Sequence, residues 1–172
     1  MSYTKTTWEN LPSTNTPINA TNLNKIENEL VRIQRDIITI NITSNVTIST
    51  TGETALNLSN TYLKLGDKLS LENGKVKIGT GVSKVLISAQ CAVITANTRA
   101  TSACNLYVYK NNSAITTSLN AGVAGGINIT KNITPIPITV TSGDLISLSV
   151  YLAANDVISS LDRTYLTVEV LD

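Results

Sequence analysis

The side chains able to do chemistry are 12 carboxylates, 13 lysines and arginines, and two cysteines, in a chain of 172 residues without histidine. With no imidazole, neither a Ser-His-Asp arrangement nor a His-based zinc site can form. Cys91 falls inside the alternating apolar segment "KVLISAQCAVITA", where no base adjoins it. Asp156 and Asp162 lie six positions apart in an expected loop, and would at most make a glycosidase-like carboxylate pair. Any loop offers that spacing. No Gly-rich phosphate loop or calcium loop occurs. Lys64, Lys68, Lys75, Lys77 and Lys84 make a mildly basic run, but Asp67 and Glu72 dilute it, which fits a solvated strand face better than a polyanion site. The expectation is therefore a protein that is no enzyme and takes no cofactor or metal. Its polar candidates for ligand contact are Arg99, Asn155, Asp156, Asp162 and Arg163, each set against the plainer role of a solvated loop residue.

Net charge is +1, so there is no basic field to hold a nucleic acid. No run of about 18 apolar residues suggests a membrane span. The opening "MSYTKTTWENLP" lacks the apolar stretch of a secretory signal, which points to synthesis in a cytoplasm. If the segments holding Cys91 and Cys104 made a hairpin, Cys91 would face Val108 and not Cys104. Buried free thiols are then expected in preference to a disulfide.

Three zones must position these groups. Residues 1–18 carry Trp8, Pro12 and Pro17 among polar residues and read as an extended attachment arm. Trp8 there is either a local plug or an anchor into a partner. Residues 19–42 read as a helical stem. Asn19 caps it, and Leu23, Ile26, Leu30, Ile33, Ile37 and Ile40 form a seam spaced three, four, three, four, three. An isolated helix of some 18 residues is marginal in water and must dock. It can lie on its own β domain, or join sister helices in a short parallel coiled coil. The polar flanks Glu27, Glu29, Gln34 and Asp36 favour the second arrangement, and the β-branched seam leans toward three strands or more.

From 43 to 172 the period is two. Segments such as "KLSLENGKVKI", "NLYVYKN", "DLISLSVYLA" and "YLTVEVL" are separated by turns at Asn73-Gly74, Asn111-Asn112, Ser142-Gly143-Asp144 and Asn155-Asp156. Short strands at this spacing predict a β-sandwich head. Cys104, Leu106, Val108, Ile146, Leu148, Val150, Leu152, Leu166, Val168 and Val170 are its expected core faces. Tyr107, Tyr109, Tyr151 and Tyr165 then point the other way. A tyrosine face of this kind suits an association interface, an ordinary surface, or a sugar platform.

The tail "ITVTSGDLISLSVYLAANDVISSLDRTYLTVEVLD" resembles the closing strands of a tumour-necrosis-factor-like or complement-type jelly roll, over about residues 54–172. That resemblance implies a mainly β jelly-roll head that trimerises through the sheet holding its first, third, sixth and last strands. Matching strand order, "NLYVYKN", "DLISLSVYLA" and "YLTVEVL" become third, sixth and last. The four tyrosines then join Leu23 to Ile40 as trimer contacts. The front end, "YTKTTWENLPSTNTPINATNLNKIENEL", resembles the opening of tail and baseplate proteins of phages of Gram-positive bacteria, through Trp8, Pro17, Ile18-Asn19-Ala20, Leu23-Asn24 and Glu27. It departs in having Glu9-Asn10 where a Gly often follows the Trp, and in its short stem. The two resemblances together imply a homotrimeric phage or prophage tail protein. Trp8 would attach it to other tail or baseplate proteins in the virion, and the head would face a host cell-wall saccharide. Two alternatives are a structural spacer or plug without a ligand, and a bacterial surface or spore-coat trimer. No collagen-like stalk supports the last.

Overall fold

The protein is described by a computed structural model covering residues 20–33, 35–97, 103–119, 123–160 and 163–172; within the helix, the side chains of residues 20, 29 and 31–33 fall outside this set. The chain divides into two units, residues 1–35 and 36–172.

In the first unit, helix α1 spans Ala20–Ile33. It starts one residue after the expected Asn19 cap, which lies outside the described residues, as does Trp8. At 14 residues it is about 21 Å long. Leu23 is half-buried, while Ile26 is 56% and Leu30 44% exposed, so part of the apolar seam meets solvent. The expected stem is too long. Ile37 and Ile40 belong to strand β1 (Ile37–Asn41), not to the helix, and Ile40 is fully buried in the sandwich. The cause is local: in "IITI" three of four residues are apolar, so the segment satisfies a heptad and a period of two equally. Three β-branched isoleucines and a threonine settle it as a strand.

The second unit is an antiparallel β-sandwich. After β1 come β2 (Val46–Thr47), β3 (Gly52–Ala55), β4 (Asn60–Leu65), β5 (Leu69–Glu72), β6 (Lys75–Ile78), β7 (Lys84–Ile94), β8 (Asn105–Lys110), β9 (Ser113–Ser118), β10 (Asn128–Thr139), β11 (Leu145–Leu152), β12 (Val157–Ile158) and β13 (Tyr165–Val170). Among the described residues, one sheet has seven strands, in the order β2-β12-β7-β13-β1-β4 with β10 also on β7. The other has six, β5-β6-β11-β8-β9 with β3 also on β11. Between them lie Ile38, Ile40, Leu58, Ile87, Leu106, Ile146, Leu148, Leu152 and Leu166, each at most 1% exposed. Each such side chain stabilises the fold by about 1.5–3 kcal/mol. All ten expected core residues of the three late strands are buried.

The expected turns are where the backbone goes left-handed. Asn73 and Gly74 have φ of 50° and 74°, and Asn111 and Asn112 have 49° and 68°, the paired positive angles of tight hairpin turns. Gly66 is required for a different reason. Lys68 N donates to Asp36 Oδ1 at 3.1 Å, and a Cβ on Gly66 would sit 1.6 Å from that oxygen. The carboxylate of Asp36 thus closes the β4–β5 turn against the start of β1.

Cys91 and Cys104 are both buried free thiols. They do not flank a hairpin, because β7 and β8 lie in different sheets, and Cys91 is registered with Lys131 of β10. Burial pushes the Cys91 thiol up to about 12 even though the Thr164 hydroxyl donates to its Sγ at 4.0 Å.

Candidate functional site

In an antiparallel sheet, residues in register share a face and touch their neighbours across the strands. On the outer face of the seven-stranded sheet these registers make three rows. Leu65, Ile37, Glu169, Leu86 and Pro137 cross β4, β1, β13, β7 and β10 in the first. Leu63, Thr39, Thr167 and Ser88 form the second. Asn60, Asn41, Tyr165, Gln90 and Asn132 form the third. The face therefore grades from a mainly apolar row, interrupted by Glu169, to a polar one.

The polar groups are ordered. Thr39 Oγ1 and Thr167 Oγ1 share a hydrogen bond of 2.9 Å, and Asn60 Nδ2 donates to Asn41 Oδ1 at 2.8 Å. The Gln90 amide donates to the backbone oxygen of Arg163 at 3.1 Å. A bulge between Thr39 and Ile40 inserts Tyr62 as an extra residue on β4. Tyr62 is 65% exposed, with Leu63 and Leu65 at 42% each. Tyr62, Leu63, Thr39, Asn41, Tyr165 and Thr167 line an open cleft of about 290 Å³. In sequence, "YLKL" reads as an alternating strand. The register places Lys64 opposite the buried Ile38 and the leucines on the outer rows. The alternation was visible, but which side faced out depended on strand order.

The six-stranded sheet carries the other tyrosines. Tyr107 and Tyr109 lie on β8 and Tyr151 on β11, whereas Tyr165 lies on β13 of the opposite sheet. One shared tyrosine face is therefore excluded, and so is the matching of β8 and β11 to the sheet of the last strand. The strand that actually borders β13 is β7. The chain changes sheets between β7 and β8, which counting strands along the sequence does not reveal. Tyr107 and Tyr109 pack with ring centroids 6.4 Å apart at 51°. Asn105 Nδ2 donates to the Tyr107 hydroxyl at 3.0 Å, and the Tyr109 hydroxyl donates to Glu53 Oε1 at 2.6 Å. That bond to the carboxylate raises the Tyr109 phenol above its ordinary value.

The loop candidates among the described residues do not gather into a site. Asp156 is fully buried; its Oδ1 accepts Ala96 N and its Oδ2 accepts Ala153 N, both at 3.0 Å. It ties the β11–β12 turn to the end of β7 and presents no oxygen to a ligand. Asn155 is exposed, but its φ of 68° makes it the left-handed residue of that turn. Arg163 is exposed, and Arg99 and Asp162 lie outside the described residues. Among the described residues no group of three or more Cys, Asp or Glu could hold a metal ion.

Solved structures share this fold. Murine APRIL at pH 5.0 aligns with a TM-score of 0.63 at 12% identity, over 80% of this chain and 100% of that one. The pH 8.5 crystal structure of murine APRIL gives 0.62 over the same shares, also at 12% identity. An Eiger TNF from S. frugiperda gives 0.61 at 8% identity, over 81% of this chain and 92% of that one. The head is thus a TNF-like jelly roll. No protein-family model matches the chain, and no curated protein matches it.

Proposed function

We propose that the chain is a homotrimeric tail protein of a phage or prophage of Gram-positive bacteria, and that its head associates through the outer face of the seven-stranded sheet. The observation that carries this is the graded face itself. It joins an apolar edge of Leu63, Leu65, Ile37 and Leu86 to ordered polar groups around Tyr165, on the sheet that holds both the first and the last strand. TNF-like heads commonly trimerise through that sheet. Burying the leucine side chains between copies would contribute about 1.5–3 kcal/mol each, and the hydroxyl and amide pairs would fix the register. The helix seam of Leu23, Ile26 and Leu30, exposed at Ile26 and Leu30, adds a second contact between copies; two heptads align chains better than they hold them.

The virion assignment rests on the resemblance of the first 30 residues to tail and baseplate openings, in which Trp8 is the attachment residue. On this view the protein is not an enzyme, partners with other tail proteins, and presents a surface to a cell-wall saccharide of the host. Three weak sites on one trimer would reinforce one another through avidity. A spacer without a ligand is the second reading, favoured by Asp156, whose carboxylate is spent on two backbone amides.

Light scattering on the full chain tests the association. The expected mass is three times the 18.3 kDa of one chain; a monomer overturns the proposal.

A further inference from the structure

The bond from Tyr109 of β8 to Glu53 of β3 spans the strand between them, β11, which pairs with both. Opposite Tyr109 and Tyr107, that strand turns Ser147 and Ser149 outward. The Tyr109 ring must therefore reach across short serine side chains, and Ser149, although on an outer face, is only 7% exposed. Tyr107 stands beside it, held by Asn105. Tyr151 completes the group, registered with Asn105 on one side and Glu53 on the other. The result is a cluster of three tyrosines on one sheet face, two of them held through their hydroxyls.

We propose that this tyrosine cluster on the six-stranded sheet binds an uncharged saccharide. The ring faces are electron-rich and favour polarised C–H groups, which one face of a pyranose supplies. Rings held in advance lose little freedom when a ligand stacks on them. Glu53 accepts the tyrosine proton through Oε1, which leaves Oε2, without a partner among the described residues, to accept a sugar hydroxyl. Charge selects among saccharides: the one formal charge in the group is the Glu53 carboxylate, and together with the ring faces it repels phosphorylated or uronate polymers. The site deepens the saccharide-facing role proposed above. It is open on the assembled particle only if copies associate through the seven-stranded sheet, so it rests on that proposal.

The test is saturation-transfer NMR on the full chain with tetrasaccharides of glucose, N-acetylglucosamine and rhamnose, with tetragalacturonate as the anionic probe and light scattering on every variant. Transfer to the ring protons of at least one neutral sugar and none to the uronate is expected. Tyr109→Ala or Tyr107→Ala should cut it by about fivefold. Tyr109→Phe keeps the ring, loses the Glu53 bond, and should cut it by about twofold. Ser142→Ala, in the exposed turn between β10 and β11, should leave it unchanged. Absence of transfer from all three neutral sugars overturns the proposal, as does transfer indifferent to Tyr109→Ala. A variant of Tyr107 or Tyr109 that dissociates the assembly overturns it too, by assigning the cluster to association. A monomeric wild type whose sugar signal still depends on Tyr109 defeats the association proposal and supports this site.

Discussion

The two outer sheet faces draw on similar residues and arrange them in different ways. On the seven-stranded sheet, Tyr62, Leu63 and Leu65 stand exposed at an edge, and the polar groups are paired with one another along the rows. On the six-stranded sheet the large groups are tyrosines, and their hydroxyls bond to an amide and a carboxylate. The first face would gain by excluding water over a broad area. The second offers rings with directed polar neighbours. Tyrosine count alone does not distinguish the two faces; what surrounds each ring does.

Charging the first face should break this contrast most severely. Leu63→Glu with Leu65→Glu is expected to convert the proposed trimer to monomers in light scattering, while Tyr107→Glu is not. The reverse result would exchange the roles of the two sheets. Next in size is a change beneath both faces. Asp156→Ala leaves two buried amides without an acceptor and should cost about 2–4 kcal/mol, or roughly 5–15 °C in melting temperature by calorimetry. A drop that small variants on either face match would mean that the core does not support the two sheets in common.

Two finer effects follow pH. The Tyr109 phenol is raised by its bond to Glu53, so its contribution is complete below the ordinary phenol range and fades as pH climbs through the raised value. In an ultraviolet titration Tyr109→Phe should remove one late-ionising phenol. Asp172 behaves oppositely. The Ser83 hydroxyl and amide and the Lys84 amide hold its carboxyl below the ordinary value at the start of β7. Its contribution is complete above about pH 4 and lost as acid protonates it. Asp172→Asn should therefore flatten the acid limb of a melting-temperature profile slightly.

Much of the head was legible in the sequence. The alternation in "DLISLSVYLA" and "YLTVEVL" identified core residues, and the Asn and Gly pairs marked turns, because both signals are local. The helix end was illegible for a local reason as well: "IITI" satisfies two periods at once. The sites failed for a non-local one. Whether Tyr165 lies beside Tyr151 depends on where the chain changes sheets, and no short window of residues records that. Asp156 was misjudged because a loop carboxylate and a buried carboxylate that bonds backbone amides look alike until the strands on either side are placed.

The sulfur chemistry of the head has a practical side. With the Cys91 thiol pushed up to about 12, roughly one molecule in 10⁵ carries a thiolate at neutral pH. Disulfide exchange starts from that anion, and both thiols are enclosed by the core. The head therefore needs no reductant to keep its shape and no oxidant to gain it. It should give the same calorimetric trace with and without dithiothreitol.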